Sequence, residues 1–105
     1  MPDYPEEYYA ELTDYELLKL SASEDLAAFD EIAKRYHSRL YETAQALLFS
    51  HTQATEAVNT MLANARRRLN EYKGDSLLLT WLCRKLIKHI LDNYELPPLP
   101  KKDSK

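Results

Sequence analysis

Glycine is almost absent from this chain, and proline is confined to its two ends. The one glycine is Gly74, and the five prolines all fall within residues 2–5 and 97–100. Because these two residue types are the strongest breakers of regular structure, an interior with one breaker predicts long helices. A single glycine also cannot build a phosphate-binding loop. We therefore expect an all-α protein without that kind of nucleotide site.

Cysteine occurs once, at Cys83, so no disulfide can form within the chain. A lone thiol fits a reducing compartment, and we expect a cytoplasmic protein. The histidines, His37, His51 and His89, are not spaced as metal ligands, and no nucleophile motif surrounds Cys83. The longest apolar stretch, near Leu77 to Cys83, is far shorter than the roughly 18 residues of a membrane span. We expect no membrane span. We also expect no metal, no cofactor and no catalytic residue, which argues against an enzyme.

The net charge of −3 conceals two halves of opposite sign. Residues 1–36 carry ten acidic and three basic residues, a net charge of −7. Residues 37–105 carry seven acidic and eleven basic residues, a net charge of +4. A basic second half permits a nucleic-acid face, and a solvated helical surface explains the same charges equally well.

The spacing of apolar residues predicts about four helices in a compact bundle. The predicted helices start at Thr13, at Ser23 or Asp25, at Thr52 and at Asp75 or Ser76, and the last three end near Phe49, Leu69 and Tyr94. The first start is a capping box, with Thr13 as the N-cap and Glu16 reaching back to it. We expect one helical domain over residues 13–95, a flexible acidic arm over 1–12, and a proline-rich linker or tail over 96–105.

The turn between the third and fourth predicted helices is the most informative stretch. Gly74 marks a forced turn, because only glycine enters positive φ without steric cost. Asp75 or Ser76 can then cap the next helix. Trp81 follows shortly after, and we expect it to anchor this helix in the core.

Residues 12–95 resemble region 2 of the sigma-70 family, in the form found in extracytoplasmic-function sigma factors. The pieces that carry the resemblance occur in order: Glu16-Leu17-Leu18, Ser23 to Ile32, Arg35-Tyr36, Arg39-Leu40-Tyr41, Glu56-Ala57-Val58-Asn59, Tyr72-Lys73-Gly74-Asp75-Ser76, and Thr80-Trp81-Leu82.

This resemblance implies a bacterial transcription initiation domain. Its partners would be core RNA polymerase and promoter DNA, whose −10 element it would help to recognise and melt. The implied DNA-binding residues are Lys73, Asp75, Ser76, Arg84, Lys85 and Lys88. The implied polymerase-binding residues are Glu56, Asn59, Leu62, Ala63 and Arg66.

Two other functions remain open at this stage. Leu79 stands where the family often has arginine, and Asn93-Tyr94-Glu95 replaces a basic helix end. The acidic first half and the apolar run Leu77-Leu78-Leu79, which we expect to be exposed, favour a sigma-like module that binds proteins, for example an anti-sigma factor. The apolar residues Leu77, Leu78 and Leu79 also permit self-association of a helical domain through a leucine patch.

Overall fold

The computed structural model describes residues 5–98, and the regular structure within them is helical throughout, without strands. The elements are α1 (Glu6–Ala10), α2 (Asp14–Ala22), α3 (Leu26–Leu48), α4 (His51–Arg67), a 3₁₀ turn (Leu69–Glu71) and α5 (Leu78–Asn93). The predicted all-α bundle is confirmed. It contains one more α-helix than the sequence predicts, because α1 forms within the segment expected to be a flexible arm.

Helix α2 begins and ends with local signals that the sequence carries. The Thr13 hydroxyl accepts a hydrogen bond from the Glu16 backbone N–H at 3.1 Å, and the Glu16 carboxylate accepts one from the Thr13 N–H at 2.8 Å. The predicted capping box is therefore confirmed. At the other end the chain reverses through Glu24, whose φ of 68° is left-handed. The Asp25 N–H bonds the Leu20 carbonyl, as in a Schellman motif.

Helices α3 and α4 are joined by a very short connection. The side chain of Asp25 caps α3 by accepting from the Ala27 N–H at 3.2 Å. After α3, Phe49 adopts a left-handed φ of 53°, and Ser50 caps α4 by accepting from the Gln53 N–H at 3.2 Å. The predicted cap at Thr52 is wrong. Because the left-handed Phe49 turns the chain, the cap is Ser50, two residues earlier.

The chain then turns at Gly74, whose φ of +79° confirms the predicted forced turn. Helix α5 does not start at Asp75 or Ser76, which corrects that prediction. Its N-cap is Leu77, in an extended conformation and without a side-chain cap. The hydroxyl of Tyr72 donates to the Ser76 carbonyl and holds this stretch in the turn.

The core lies where α2, α3, α4 and α5 meet. The largest fully buried side chains are Leu17, Ile32, Leu40, Val58, Leu82, Leu86 and Ile90. In α5 they recur at steps of four residues, which places Leu82, Leu86 and Ile90 on one face of that helix. Trp81 is only half-buried and packs at the edge of this core, so it supports α5 without being central to it.

The segment at residues 1–12 differs from the flexible arm that the sequence predicts. Residues 1–4 lie outside the described part of the chain, but α1 packs on α3, and Tyr9 is buried. The Tyr9 hydroxyl donates to Asp25 at 2.9 Å, a partner 16 residues away that local patterns cannot reveal. Of the predicted tail, residues 96–98 are irregular and 99–105 lie outside the described residues. No helix within residues 5–98 has the length and apolarity needed to cross a bilayer.

Candidate nucleic-acid and protein interfaces

A groove of about 650 Å³ separates α2 from the segment that carries the Gly74 turn. It is lined by cationic, aromatic, aliphatic and small or polar residues: Tyr15, Leu18, Lys19, Ser21, Ala22, Arg66, Arg67, Leu69, Asn70, Tyr72, Lys73 and Gly74. Within residues 5–98, no acidic side chain lines it. We call this feature the basic groove.

The four cations of the basic groove differ from most others in the molecule. Lys19, Arg66, Arg67 and Lys73 form no ion pair with any described residue. Their interactions are with uncharged groups: Arg67 donates to the Asn64 side chain at 2.8 Å, and the Lys19 amine lies 5.5 Å from the centre of the Tyr15 ring. The groove therefore keeps its full positive charge for an anionic partner.

Aromatic and hydroxyl groups complete the basic groove. Tyr15 is 68% exposed on one wall, and Tyr72 on the other wall packs against Trp81, with ring centroids 5.5 Å apart. The Ser21 hydroxyl is buried and has no hydrogen-bond partner among the described residues. The groove thus offers π-faces for stacking in addition to its charge.

The structure does not bring the predicted DNA-binding residues together at one site. Lys73 lines the basic groove, with Asp75 exposed and Ser76 half-buried just beyond it. Arg84 is exposed on α5 and does not line the groove.

The other two predicted DNA-binding residues, Lys85 and Lys88, each form an ion pair with an acidic side chain of the protein. Lys85 pairs with Glu71 at 2.7 Å, and its amine lies over the Trp81 ring. The hydrogen bond from Lys85 lowers the pKa of Glu71 below its ordinary value. Lys88 pairs with Asp92 at 3.1 Å.

Sequence reasoning did not place three cations of the groove, namely Lys19, Arg66 and Arg67, next to the Gly74 turn. The arginines are visible as a run at the end of a helix, but a favourable interaction with the helix dipole explains such a run without any ligand. Lys19 carries no signal, because it is more than forty residues away from the turn that it faces.

Four of the five predicted polymerase-binding residues lie on the exposed side of α4. Glu56, Asn59, Ala63 and Arg66 follow one another at steps of three or four residues and form one stripe. Leu62 is only 7% exposed and belongs to the core, so its place on a contact surface is corrected.

Glu56 also has a partner within the protein. It accepts a hydrogen bond from the Tyr94 hydroxyl at 2.6 Å, which ties α4 to the end of α5. Partial burial, together with this bond, raises the pKa of Tyr94 to about 12.

An exposed apolar stripe lies on the outer side of α5. Leu77 is 77% exposed, Leu91 58% and Ile87 38%, whereas Leu78 between the predicted patch residues is buried. Arg84 lies on the same side without an ion pair among the described residues. The predicted patch of three leucines is thus replaced by a longer stripe with a cation inside it.

Comparison with known proteins gives a limited but consistent result. No protein-family model matches the chain. It is 28% identical over 82 residues to the ECF RNA polymerase sigma factor SigM of Mycobacterium tuberculosis strain H37Rv, and 27% identical to the protein of that name from the Erdman strain. Each match covers 78% of this chain and 42% of the relative.

The similarity supports a sigma-70 region of the extracytoplasmic-function type in this chain. The chain spans about two fifths of the length of the curated relatives it matches. The match covers most of the helical bundle, since 78% of the chain is aligned. It agrees with the resemblance that the sequence motifs indicate.

Proposed function

We propose that this chain acts as a transcription initiation domain of sigma type, which binds core RNA polymerase and helps to recognise and melt the promoter −10 element. The observation that carries this proposal is the basic groove. It gathers four cations without ion-pair partners among the described residues, together with two tyrosine rings, around the Gly74 turn. In this proposal the groove holds the unpaired DNA strand.

The physical basis is the combination of charge and stacking. Lysine and arginine side chains attract phosphates irrespective of sequence, and the release of counterions makes that attraction dependent on salt. Aromatic rings add about 1–3 kcal/mol per stacked base. Tyr15 and Tyr72 provide two such rings beside Lys19 and Lys73. A groove without carboxylates imposes no repulsion on the strand.

The exposed stripe of α4 supports polymerase docking. Asn59 and Ala63 are exposed, and the hydrogen bond from Tyr94 occupies one carboxylate oxygen of Glu56. Arg66 at the end of the stripe is also exposed and lines the basic groove as well. A helix face with polar, small and charged side chains is suited to a protein interface with a polar rim. In this proposal the domain works by binding and performs no catalysis.

The first test measures binding of a short labelled oligothymidylate to the chain by anisotropy over a range of salt concentrations. Each phosphate contact contributes a slope of about −0.7 in the logarithmic plot of affinity against salt. With four groove cations engaged we expect a slope of about −3. An affinity that does not change with salt would show that phosphates are not the ligand.

The second test is retention of the chain on immobilised bacterial core RNA polymerase. Asn59→Asp and Ala63→Glu place acidic groups in the α4 stripe without touching the core, and we expect them to abolish retention. A matched variant, Arg39→Glu on the exposed side of α3, changes the net charge by the same amount and controls for charge. Equal loss in both variants would remove the stripe from the docking surface.

The α5 stripe supports a second candidate function, binding of a protein such as an anti-sigma factor. Exposed aliphatic groups next to a cation suit an amphipathic helix that carries an acidic residue. In this case neither oligothymidylate nor core polymerase binds the chain.

If the stripe instead joins two copies, the mass in light scattering rises with concentration, and Leu91→Ser abolishes that rise.

A further inference from the structure

Arg35 of α3 is the centre of a polar cluster that joins three helices. Its guanidinium donates to Asp14 Oδ1 at 3.0 Å, Glu31 Oε2 at 3.1 Å, and the backbone carbonyls of Tyr9, Ala10 and Leu12. These acceptors belong to the end of α1, the connection between α1 and α2, the start of α2, and α3 itself. A planar guanidinium is suited to this many acceptors in a fixed arrangement, whereas a lysine amine is not.

The Asp14 carboxylate is held at both of its oxygens. Arg35 binds Oδ1, and the hydroxyl of Tyr36 donates to Oδ2. Partial burial and this hydrogen bond raise the pKa of Tyr36 to about 12, so the phenol stays protonated as a donor. Because two side chains from one turn of α3 each donate a hydrogen bond to this carboxylate, the first residue of α2 has a fixed position.

Helix α2 begins at Asp14 and forms one wall of the basic groove, so the position of Asp14 sets the position of that wall. It is nine residues long, and Tyr15, Leu18, Lys19 and Ser21 along it line the groove. A helix transmits a displacement of its first turn to the whole element, because its backbone hydrogen bonds keep it rigid. The opposite wall, with Tyr72 and Lys73, belongs to a different part of the chain.

We propose that Asp14, Arg35 and Tyr36 are positioning residues for the basic groove. They hold α2 at the distance from the Gly74 turn at which Lys19 can act on the same anionic strand as Lys73. This inference rests on the proposed function, because it assigns these residues a role in nucleic-acid binding at the same site.

The test compares Tyr36→Phe with Tyr41→Phe, using the labelled oligothymidylate. Both changes remove one hydroxyl from a half-buried tyrosine of α3, but Tyr41 bonds His51 and does not touch Asp14. We expect Tyr36→Phe to weaken binding about five-fold, which is less than the whole contribution of a hydrogen bond to a charged group, because Arg35 still holds the other oxygen of Asp14. Tyr41→Phe should leave the affinity unchanged. Equal affinity of both variants and the wild type overturns the proposal.

A double-mutant cycle separates positioning from general destabilisation. If Tyr36 acts by placing Lys19, then Lys19→Ala should weaken binding in the wild type but have little further effect in Tyr36→Phe. The salt slope of Tyr36→Phe should also fall by about 0.7, one phosphate contact. Additive losses with an unchanged slope overturn the proposal, because a protein that is merely less stable loses no particular contact.

Hydrogen exchange of the free proteins distinguishes failure of this inference from failure of the proposed function. Tyr36→Phe should raise exchange in α2 and leave α4 and α5 unchanged, while Tyr41→Phe should not affect α2. If the wild type does not bind the oligonucleotide, the proposed function is wrong, and the groove-positioning role falls with it. If the wild type binds but Tyr36→Phe does not alter exchange in α2, only the positioning role of Asp14, Arg35 and Tyr36 is wrong.

Discussion

The charged groups around Arg35 and those in the basic groove are arranged in opposite ways. The Arg35 guanidinium donates hydrogen bonds of about 3 Å to two carboxylates and to backbone carbonyls, and Glu31 is only 8% exposed. In the groove, Lys19, Arg67 and Lys73 make no ion pair with any described residue. Charges that are paired internally hold helices together, whereas unpaired charges on one surface are available to a partner.

The largest effect we expect is on stability, from Arg35→Met. This change leaves the carboxylates of Asp14 and Glu31 without their cation and removes the donor to three carbonyls. We expect the free energy of unfolding to fall by about 3 kcal/mol, the lower range for breaking a buried ion pair. Urea unfolding followed by circular dichroism measures this loss.

The control for that experiment is Arg39→Met, on the same helix. Arg39 is exposed and makes no ion pair among the described residues, so its loss should change stability by less than about 0.5 kcal/mol. If both variants lose equal stability, the contrast between paired and unpaired charges has no energetic basis.

The second prediction concerns binding, from Arg67→Ala combined with Lys73→Ala. Removing two groove cations should lower affinity for oligothymidylate about ten-fold and reduce the salt slope by about 1.4. The melting temperature should hardly change, because neither side chain has an ion pair among the described residues. Anisotropy titrations of the variant and the wild type measure both values.

The matched pair for this variant is Lys85→Ala combined with Lys88→Ala. These lysines are bound to Glu71 and Asp92, so we expect a smaller loss of affinity than in the groove variant. A larger loss would restore the DNA face that the sequence alone predicts on α5.

The third prediction concerns the Gly74 turn in the groove wall opposite α2. Gly74→Ala meets no atom within 4 Å, so its cost comes from the backbone, whose φ of +79° disfavours a side chain. We expect a loss of about 1 kcal/mol, which corresponds to a melting temperature lower by about 4–8 °C in a domain of this size. Asp75→Ala is the control, since this exposed residue makes no hydrogen bond among the described ones.

The smallest effect is a pH dependence at Tyr36. Its folded-state pKa of about 12 lies above the ordinary value of 10, so the folded protein binds the phenol proton more tightly than the unfolded chain does. This stabilisation is complete below pH 10 and is lost as the pH rises towards 12. The stability difference between wild type and Tyr36→Phe should therefore shrink over that interval in urea titrations. A constant difference would mean that folding does not raise the pKa of Tyr36 through burial and the bond to Asp14.

The sequence predicts best where a structure depends on neighbouring residues. The capping box of Thr13 and Glu16 and the positive φ of Gly74 are local, and both are confirmed. The start of α5 is predicted incorrectly, because the Tyr72 hydroxyl holds the Ser76 carbonyl outside the helix.

Long-range pairings are what the sequence cannot show. Lys85 has no acidic residue at helical spacing to pair with, and its partner Glu71 is 14 residues away. Lys19 joins the groove only because the bundle brings α2 to the Gly74 turn. The composition of the candidate site therefore depends on tertiary packing, although the resemblance locates the turn at its centre.

The position of Trp81 has a practical consequence. It is the only tryptophan of the chain, its ring packs against Tyr72 of the groove wall, and the Lys85 amine lies 5.2 Å from its centre. Its intrinsic emission therefore originates beside the candidate site and depends on the placement of a tyrosine ring and a cation. The molecule thus carries its own optical reporter, which can follow occupancy of the groove in unmodified protein.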